Sequence, residues 1–442
     1  MTISQQYDQE EEQKRIPFYN PSELERYYQI KPELYKSLDV KRGLRNADGS
    51  GVLAGLTKIS SVKGFDKTAD GLVSCEGELR YRGHLIDALI EQFKGSACVF
   101  EQVAALLLTG SILDASRLET FKAMLAQKRQ VSDLMLTHQI KAVPHHNVMN
   151  KCQALIASLG QDDQDLDEIT LEENISKAMR IIAVFPNLVA YTYLANFKEN
   201  PHFVEAKSDQ KLAHAFLYVL REGGEVSEVE RHTLDLCLAL HAEHGGGNNS
   251  SFTTHVVSST GANMYAALSA AMGSLSGPLH GGANQKVMEM MDVIKASVSN
   301  WQDKEEIKQT LEAILQKKAG DGSGKIYGLG HAVYTKSDPR AVILKEQAKT
   351  LAKEKGRDDE YALYEAIEVL GPKVFYELKG DTKTICANVD FYSGFVYDCL
   401  NIPKEVYTPM FAMARMVGWA SHMCEEFVSG RRVIRPGYKF VD

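Results

Sequence analysis

Apolar positions recur every three to four residues along most of this chain, the period of a helix face turned toward a core. "SEVERHTLDLCLALHAEH" (227–244) carries the pattern with its start signal. Ser227 and Glu230 stand in capping-box spacing, and Val229, Leu234, Cys237 and Leu240 follow near helical period. "SDPRAVILKEQAKTLAKEKG" (337–356) offers Asp338 as N-cap, Pro339 at the first helical position and Gly356 as the stop. "TPMFAMARMVGWASHMCEEF" repeats that opening with Thr408 and Pro409. In "TGANMYAALSAAMGSLSG" (260–277), Ala262, Ala266, Ala267, Ala270, Ala271 and Gly273 let another helix come close, which predicts a buried helix at a domain or subunit interface. Strand signals are sparse, the best being "GVLAGLTKISSV" (51–62) and "GLVSCEGELRYRG" (71–83). The pattern predicts a mainly α fold with a small β element near the N-terminus.

From about Lys286 to Tyr376 the pattern shifts to charged amphipathic helices, as in "WQDKEEIKQTLEAILQKK" and "DDEYALYEAIEVLG". This predicts a smaller domain inserted into a larger one. Residues 1–284 would begin the large helical domain, 285–392 form the small one, and 393–442 return to the large one. A length of 442 residues suits two or three domains, and 44% hydrophobic with 24% charged residues is ordinary for a globular protein. The net charge of −8, without a lysine or arginine block, argues against nucleic acid as the main partner. The polar, acidic start "MTISQQYDQEEEQKR" has neither a secretory apolar core nor the Arg-rich character of a mitochondrial leader. Apolar runs such as "VAALLLTG" and "IIAVF" fall short of a membrane span, so no membrane partner is expected. The seven cysteines are scattered and free of C-x-x-C spacing, so reduced thiols and a cytoplasmic location are expected.

Five stretches concentrate the candidate chemistry. They are "HAEHGGGNNSS" (241–251), "GPLHGGAN" around His280, "IYGLGHAVYTKSDPR" (326–340), "ANVDFYSG" around Asp390, and the pair "MARMVGW" and "VIRPGY" holding Arg415 and Arg435. Singly, most have a plain reading. His241 and His244 could share a helix face as a metal pair, but no third ligand lies at a telling spacing, so no metal is expected. His280 and His331 read as turn residues and Asp390 as a helix cap. Arg415 resists such a reading. Its neighbours Met410, Phe411, Met413, Met416, Val417 and Trp419 are apolar, and a buried guanidinium must be paired. No acidic residue follows before Glu425, so the partner is distant in sequence or is an anionic ligand. "GDGSGKIYG" lacks the phosphate-loop frame, "GLGHAV" has two of the three dinucleotide-site glycines, and "GSLSG" has Leu275 where a nucleophile elbow needs serine.

Taken in order, H-x-x-H-G, G-P-x-H-G-x-A-N, G-x-G-H-x-V-Y, D-P-R, N-V-D-F-Y-S-G, A-R-x-V-G-W and R-P resemble the motif set of the citrate synthase family. The match runs from about "GELRYRG" (77–83) to the carboxyl end. It implies a citrate synthase-like, two-domain helical fold. The implied reaction is an acyl transfer, the condensation of acetyl-CoA with oxaloacetate and water to give citrate and CoA at the entry to the tricarboxylic acid cycle. By this resemblance Asp390 removes a proton from the thioester methyl, His280 donates to the thioester oxygen, and His331 donates to the oxaloacetate carbonyl. The glycines beside His280 would clear space for the thioester. His244, Arg340, Arg415 and Arg435 would bind oxaloacetate, since guanidinium forks match carboxylates. Lys325, Ile326, Tyr327, Gly328, Gly330 and Lys336 would hold CoA as a co-substrate, largely through backbone groups, with no tightly bound cofactor. A homodimer is implied, with Arg435 reaching the neighbour's site, and a small domain that closes on oxaloacetate. Thr335 stands where members commonly have a basic residue for CoA phosphate, with Lys336 beside it as a substitute; Gly437 leaves the position after R-P bare. The alternatives are a 2-methylcitrate synthase using propionyl-CoA, or a non-catalytic CoA or carboxylate binder. Filled catalytic positions argue against the latter.

Overall fold

The computed structural model describes residues 25–441 apart from 27, 70, 169, 381–383 and 431. The chain forms two compact units, Met1–Gly55 and Leu56–Asp442. Within the first, helix α1 (Pro32–Ser37) starts on its proline, and a bridge between Arg45 and Gly51 closes a turn through Gly49.

The second unit opens with a three-stranded antiparallel sheet, β1 (Ser60–Thr68), β2 (Gly71–Tyr81) and β3 (His84–Leu85), in that spatial order. Of the stretch 51–62, only Ser60–Val62 enter the ladder. Upstream, Leu53 and Leu56 are three apart rather than alternating, and both stand exposed. The register runs from Ser60 opposite Tyr81 to Thr68 opposite Gly71, with an irregularity between Lys63 and Phe65.

Helices make up the rest: α2 (Ile86–Gln92), α3 (Val99–Thr109), α4 (Ala115–Lys128), α5 (Val148–Ser158), α6 (Leu171–Phe197), α7 (Leu212–Leu220), α8 (Glu228–His241), α9 (Asn249–Ser258), α10 (Met264–Leu275), α11 (Ala283–Ser297), α12 (Lys304–Leu315), α13 (Pro339–Lys355), α14 (Asp358–Lys379), α15 (Val389–Cys399) and α16 (Tyr407–Val428). The predicted start of α8 holds, because both halves of the Ser227–Glu230 capping box form. Helix α13 begins on the Asp338 cap with Pro339 at N1 and stops at Gly356, whose φ is 63°. Thr408 does not cap α16. A 3-10 turn over Lys404–Val406 feeds straight into the helix at Tyr407, which frees the Thr408 hydroxyl to donate to Gly281 O at 3.1 Å.

The long helix α6 exceeds what "IIAVF" alone suggests, being apolar enough over its 27 residues to cross a membrane by length and composition. Of its most apolar window, 83% is buried inside the protein, so this is a core helix. It packs on α16, which also contacts α9 and α10. The small residues of α10 face α9 and α5, consistent with the close approach expected of them. Helices α11 and α13 lie on α15, and α12 lies on α14. Trp419 and Arg415 of α16 are the two largest fully buried side chains.

Candidate active site

The site is assembled where the 326–340 loop meets three helix ends. The loop is first tied to the start of α15. Gly330 N donates to Cys386 O at 2.7 Å, Asn388 N to Gly328 O at 2.9 Å, and Asn388 Nδ2 to Gly330 O at 2.8 Å. Gly328 has a φ of 83°, and a Cβ there would come within 2.7 Å of Phe391, so the loop can lie flat on α15 only with glycine. The loop is then covered by the sheet. A Cβ on Gly64 would sit 2.1 Å from Val333 O, and one on Gly77 would sit 2.2 Å from Ser337 O.

This packing corrects the reading of Thr335. Its side chain is buried, and its hydroxyl donates to Gly64 O at 2.9 Å. It is a docking contact between loop and sheet. Lys336, next to it, is exposed.

His331 sits in this loop with Nδ1 accepting from the amides of Val333 at 2.9 Å and Tyr334 at 3.1 Å. A nitrogen that accepts two N–H groups carries no proton, so the neutral ring holds its hydrogen on Nε2. Burial, then the charge of Arg340, pushes the His331 pKa down to about 4. Its ring stacks on Tyr334, centroids 4.8 Å apart, and meets His244 edge-on at 5.1 Å. His244 is buried with Nε2 unpartnered, and burial followed by Arg340 holds its pKa well below the usual value.

Arg340 and Asp338 pair inside the protein. Nε donates to Oδ1 at 3.0 Å and Nη2 to Oδ2 at 2.7 Å. Asp338 also caps α13 and accepts from Val389 N at 3.1 Å, so one carboxylate fixes Arg340 and the residue before Asp390. Burial opposes the charge on Arg340, but Asp338 outweighs it and raises the arginine's pKa.

Asp390 lies in the first turn of α15, and the cap is Asn388, whose side chain accepts from Asp390 N at 3.0 Å. The cap role therefore belongs to its neighbour. Burial raises the Asp390 pKa while Arg340 and Arg415 pull the other way.

His280 follows α10 in a tight turn. The glycines after it serve that turn: a Cβ on Gly281 would lie 2.1 Å from Leu275 O, and one on Gly282 would lie 2.8 Å from Pro278 O. They let the backbone fold onto itself. The imidazole Nε2 is 2.9 Å from Ser250 Oγ, and burial followed by the Arg415 charge pushes its pKa down to about 4.

Arg415 is fully buried, with Nε donating to His241 O and its guanidinium 4.6 Å from the Phe411 ring centroid. Its Nη1 has no partner. Burial lowers its pKa to about 10, and Glu243 is the strongest influence in the other direction. Glu243 thus bears on Arg415 from a distance, and among the described residues no acidic side chain pairs with it directly. His241 is satisfied by its own helix, with Nδ1 2.8 Å from Cys237 O. Among the described residues no group of three His, Cys, Asp or Glu is placed to hold a metal ion.

His244, His331 and Arg340 meet around Tyr334, and Arg340 and Arg415 both bear electrostatically on His244, His331 and Asp390, with Arg415 also acting on His280. Arg435 does not join them. It is exposed on the C-terminal arm, which is anchored by Ile434 N donating to Ser259 Oγ at 3.1 Å. Of the residues expected at CoA, Lys325 is exposed and Ile326 points into the core. The Tyr327 hydroxyl donates to Asp321 at 2.6 Å, and the carbonyl of Gly328 and both backbone groups of Gly330 are taken up by 386–388. Sequence reasoning missed Ser250, Tyr334 and Glu243 and saw Asp338 only as a cap. Glu243 lay in view between the two histidines of "HAEH".

A family model described as "Citrate synthase, C-terminal domain" matches residues 46–437. The chain belongs to the citrate synthase family. It is 37% identical over 396 residues to a citrate synthase of Acidithiobacillus ferridurans, covering 87% of this chain and 92% of that one. A 2-methylcitrate synthase of Shewanella oneidensis is 32% identical over 379 residues, covering 85% and 92%. The crystal structure of citrate synthase from Pyrobaculum aerophilum superposes with a TM-score of 0.74 at 29% identity, covering 89% of this chain and 91% of that one. The mainly α fold with its small sheet is that of the family.

Proposed function

We propose that this chain condenses acetyl-CoA with oxaloacetate and water to give citrate and CoA, using its own side chains and no tightly bound cofactor. The observation that carries this reading is His331, whose Nδ1 accepts two backbone amides and leaves Nε2–H free to donate, packed against His244 and Tyr334 close to the buried Arg340. The Asp390 carboxylate takes a proton from the thioester methyl. Such a weak base works only if the enolate oxygen is stabilised as it forms, and His280 supplies that hydrogen bond. Ser250 Oγ, 2.9 Å from Nε2, holds the His280 ring in place. The enolate carbon then attacks the keto carbon of oxaloacetate, whose oxygen takes the hydrogen bond of His331 Nε2–H. Water hydrolyses the citryl thioester and releases CoA. A neutral imidazole suits both steps, because an imidazolium beside Asp390 would hold the carboxylate's charge and weaken the base.

Oxaloacetate is a dicarboxylate, and the unpartnered Arg415 Nη1 and His244 Nε2 are the donors left for it, beside Arg340. The fourth substrate residue, Arg435, acts in the site of a second copy. Its exposure beside exposed Val433, Tyr438 and Phe440 supports a homodimer in which the arm crosses to the neighbour. Residues 285–392 close as a small domain over bound oxaloacetate. The free state of all seven cysteines accords with a cytoplasmic enzyme.

The test is release of the CoA thiol from acetyl-CoA or propionyl-CoA in the presence of oxaloacetate. A higher kcat/KM for acetyl-CoA is expected. A preference for propionyl-CoA would make this a 2-methylcitrate synthase, the reading that the Shewanella oneidensis relative favours. No release from either would leave a CoA or carboxylate binder.

A further inference from the structure

Arg340 and Arg415 are both buried cations, yet their counter-charges are arranged differently. Asp338 closes on Arg340 with two parallel hydrogen bonds, so that pair sums to zero. Glu243 is the acidic influence on Arg415, but it is engaged elsewhere. Its Oε1 accepts from His422 Nε2 and from Ser60 Oγ, each at 2.9 Å. Its Oε2 has no hydrogen-bond partner and lies against α16, where a Cβ on Gly418 would approach it to 2.2 Å. Gly418 is one turn beyond Arg415, so the free oxygen stands beside the stretch of helix that bears the arginine.

His422 is fully buried between two carboxylates. Nε2 faces Glu243, and Nδ1 lies 3.8 Å from Glu425. A carboxylate hydrogen-bonded to Nε2 and a second one 3.8 Å from Nδ1 both favour the protonated, cationic ring, although Nδ1 makes no hydrogen bond of its own. The His255 ring, 4.9 Å away, has its own carboxylate in Glu426 at 3.1 Å and does not replace it. Burying a histidinium and a carboxylate is expensive, and an apolar pair of the same volume would hold the fold as well. The charges therefore need another reason.

We propose that His422 is a charge-balancing residue: by neutralising Glu243 it leaves the positive charge of Arg415 unspent, so that one carboxylate of the substrate can take it. Without His422 the Glu243 carboxylate would close on Arg415 as Asp338 closes on Arg340, and would compete with substrate. Glu425 lies on the far side of the His422 ring and accepts from the amide of Lys58, so the carboxylate that His422 keeps from Arg415 is Glu243. The inference rests on the reading of Arg415 as a substrate arginine. His422 touches no reacting atom in it and acts through Glu243.

The test is steady-state kinetics on the full-length enzyme carrying His422→Gln, Glu243→Gln, or both. The amide of His422→Gln can still donate to Glu243 but removes the charge. It should raise the oxaloacetate KM about tenfold, equivalent to ~1.4 kcal/mol, and leave kcat and the acetyl-CoA KM nearly unchanged. Glu243→Gln removes the competitor and should not raise the oxaloacetate KM. The double variant should return it toward the wild-type value. A purely structural pair would give the two single variants the same sign, with lower melting temperatures and no rescue, and that result overturns the proposal. Should His422→Gln not fold, a tenfold rise in Glu243→Gln alone would overturn it equally. Arg415→Gln separates the two layers. If it leaves the oxaloacetate KM unchanged, the substrate-arginine reading fails; if it raises the KM while His422→Gln does not, only the present inference fails.

Discussion

Two buried carboxylates at opposite ends of helix α8 behave in opposite ways. Glu230, near the start, is fully used: Oε1 accepts from Arg221 at 2.8 Å and Lys355 at 2.7 Å, and Oε2 from Arg221 at 2.8 Å and Ser227 N at 2.9 Å. Arg221 in turn donates to Glu225 O and Leu400 O. The cluster binds the ends of α7, α13 and α15 to the start of α8 and leaves nothing over. Glu243, just past the other end, stands in a cluster where its own Oε2, His244 Nε2, Arg415 Nη1 and His422 Nδ1 all lack a hydrogen-bond partner. Unmet buried polar groups are costly, and of these four Arg415 Nη1 and His244 Nε2 are the donors that a carboxylate ligand would complete. The satisfied end is built for stability and the unsatisfied end for binding.

The largest effect should come from the reacting group at the unsatisfied end. Asp390→Asn should keep the fold and oxaloacetate binding, because the α15 cap is Asn388, while kcat falls by about 10²–10⁴-fold, the scale of acid–base catalysis. Exchange of the acetyl methyl protons with solvent should vanish with it. Turnover near wild type would remove Asp390 from the chemistry.

At the satisfied end the loss should be of stability alone. Glu230→Gln strands Arg221 and Lys355 and should cost about 3 kcal/mol in denaturant unfolding, with kcat and both KM values unchanged. Burial by itself would raise the Glu230 pKa, but Arg221, Lys355 and the Ser227 amide pull it down from 4.5 to about 2. A carboxyl group depressed on folding stabilises the protein above its unfolded pKa, and that contribution drains away as pH falls. The gap between wild type and Glu230→Gln should therefore narrow from about pH 4.5 downward. A gap independent of pH would mean lost packing rather than lost charge.

These contrasts were only partly legible in the sequence. Local signals sufficed for the start of α8, both ends of α13 and the mainly helical architecture, because a serine cap, a proline at N1 and a positive-φ glycine act within a few residues. The site residues were legible as motifs, and His244, His331 and Arg340 meet around Tyr334. What spacing could not convey was which neighbour does what. Asp390 and Asn388 are equally plausible caps on paper, and only the backbone geometry assigns the role to Asn388. Thr335 read as a missing phosphate contact because its burial depends on Gly64, 271 positions away.

The pH profile sharpens the comparison without a mutation. Activity requires Asp390 without its proton and the two histidines neutral. Burial raises Asp390 above the ordinary aspartate value, so kcat/KM should fall as pH is lowered, and His280 and His331, taking up protons near 4, should steepen that acid limb. An acid limb centred near the ordinary imidazole value of 6.5 would show that the histidines are not held neutral by burial.

The smallest effect tests whether the satisfied end is one unit. Ser227 accepts from Glu230 N at 3.1 Å, donates to Glu354 at 2.7 Å, and receives the return bond from Glu230 to its own amide. Ser227→Ala removes the first two and leaves the third, so it should cost about 1 kcal/mol, the worth of an N-cap. Kinetics should not move, since no site residue lies in the first turn of α8. Glu230→Gln already weakens the return bond, so the serine's contribution should shrink in that background, and the double variant should lose less than the sum. Strict additivity in urea unfolding would mean that cap and ion cluster act independently. The contrast between the two ends of α8 would then rest on the arginine and lysine pairs alone.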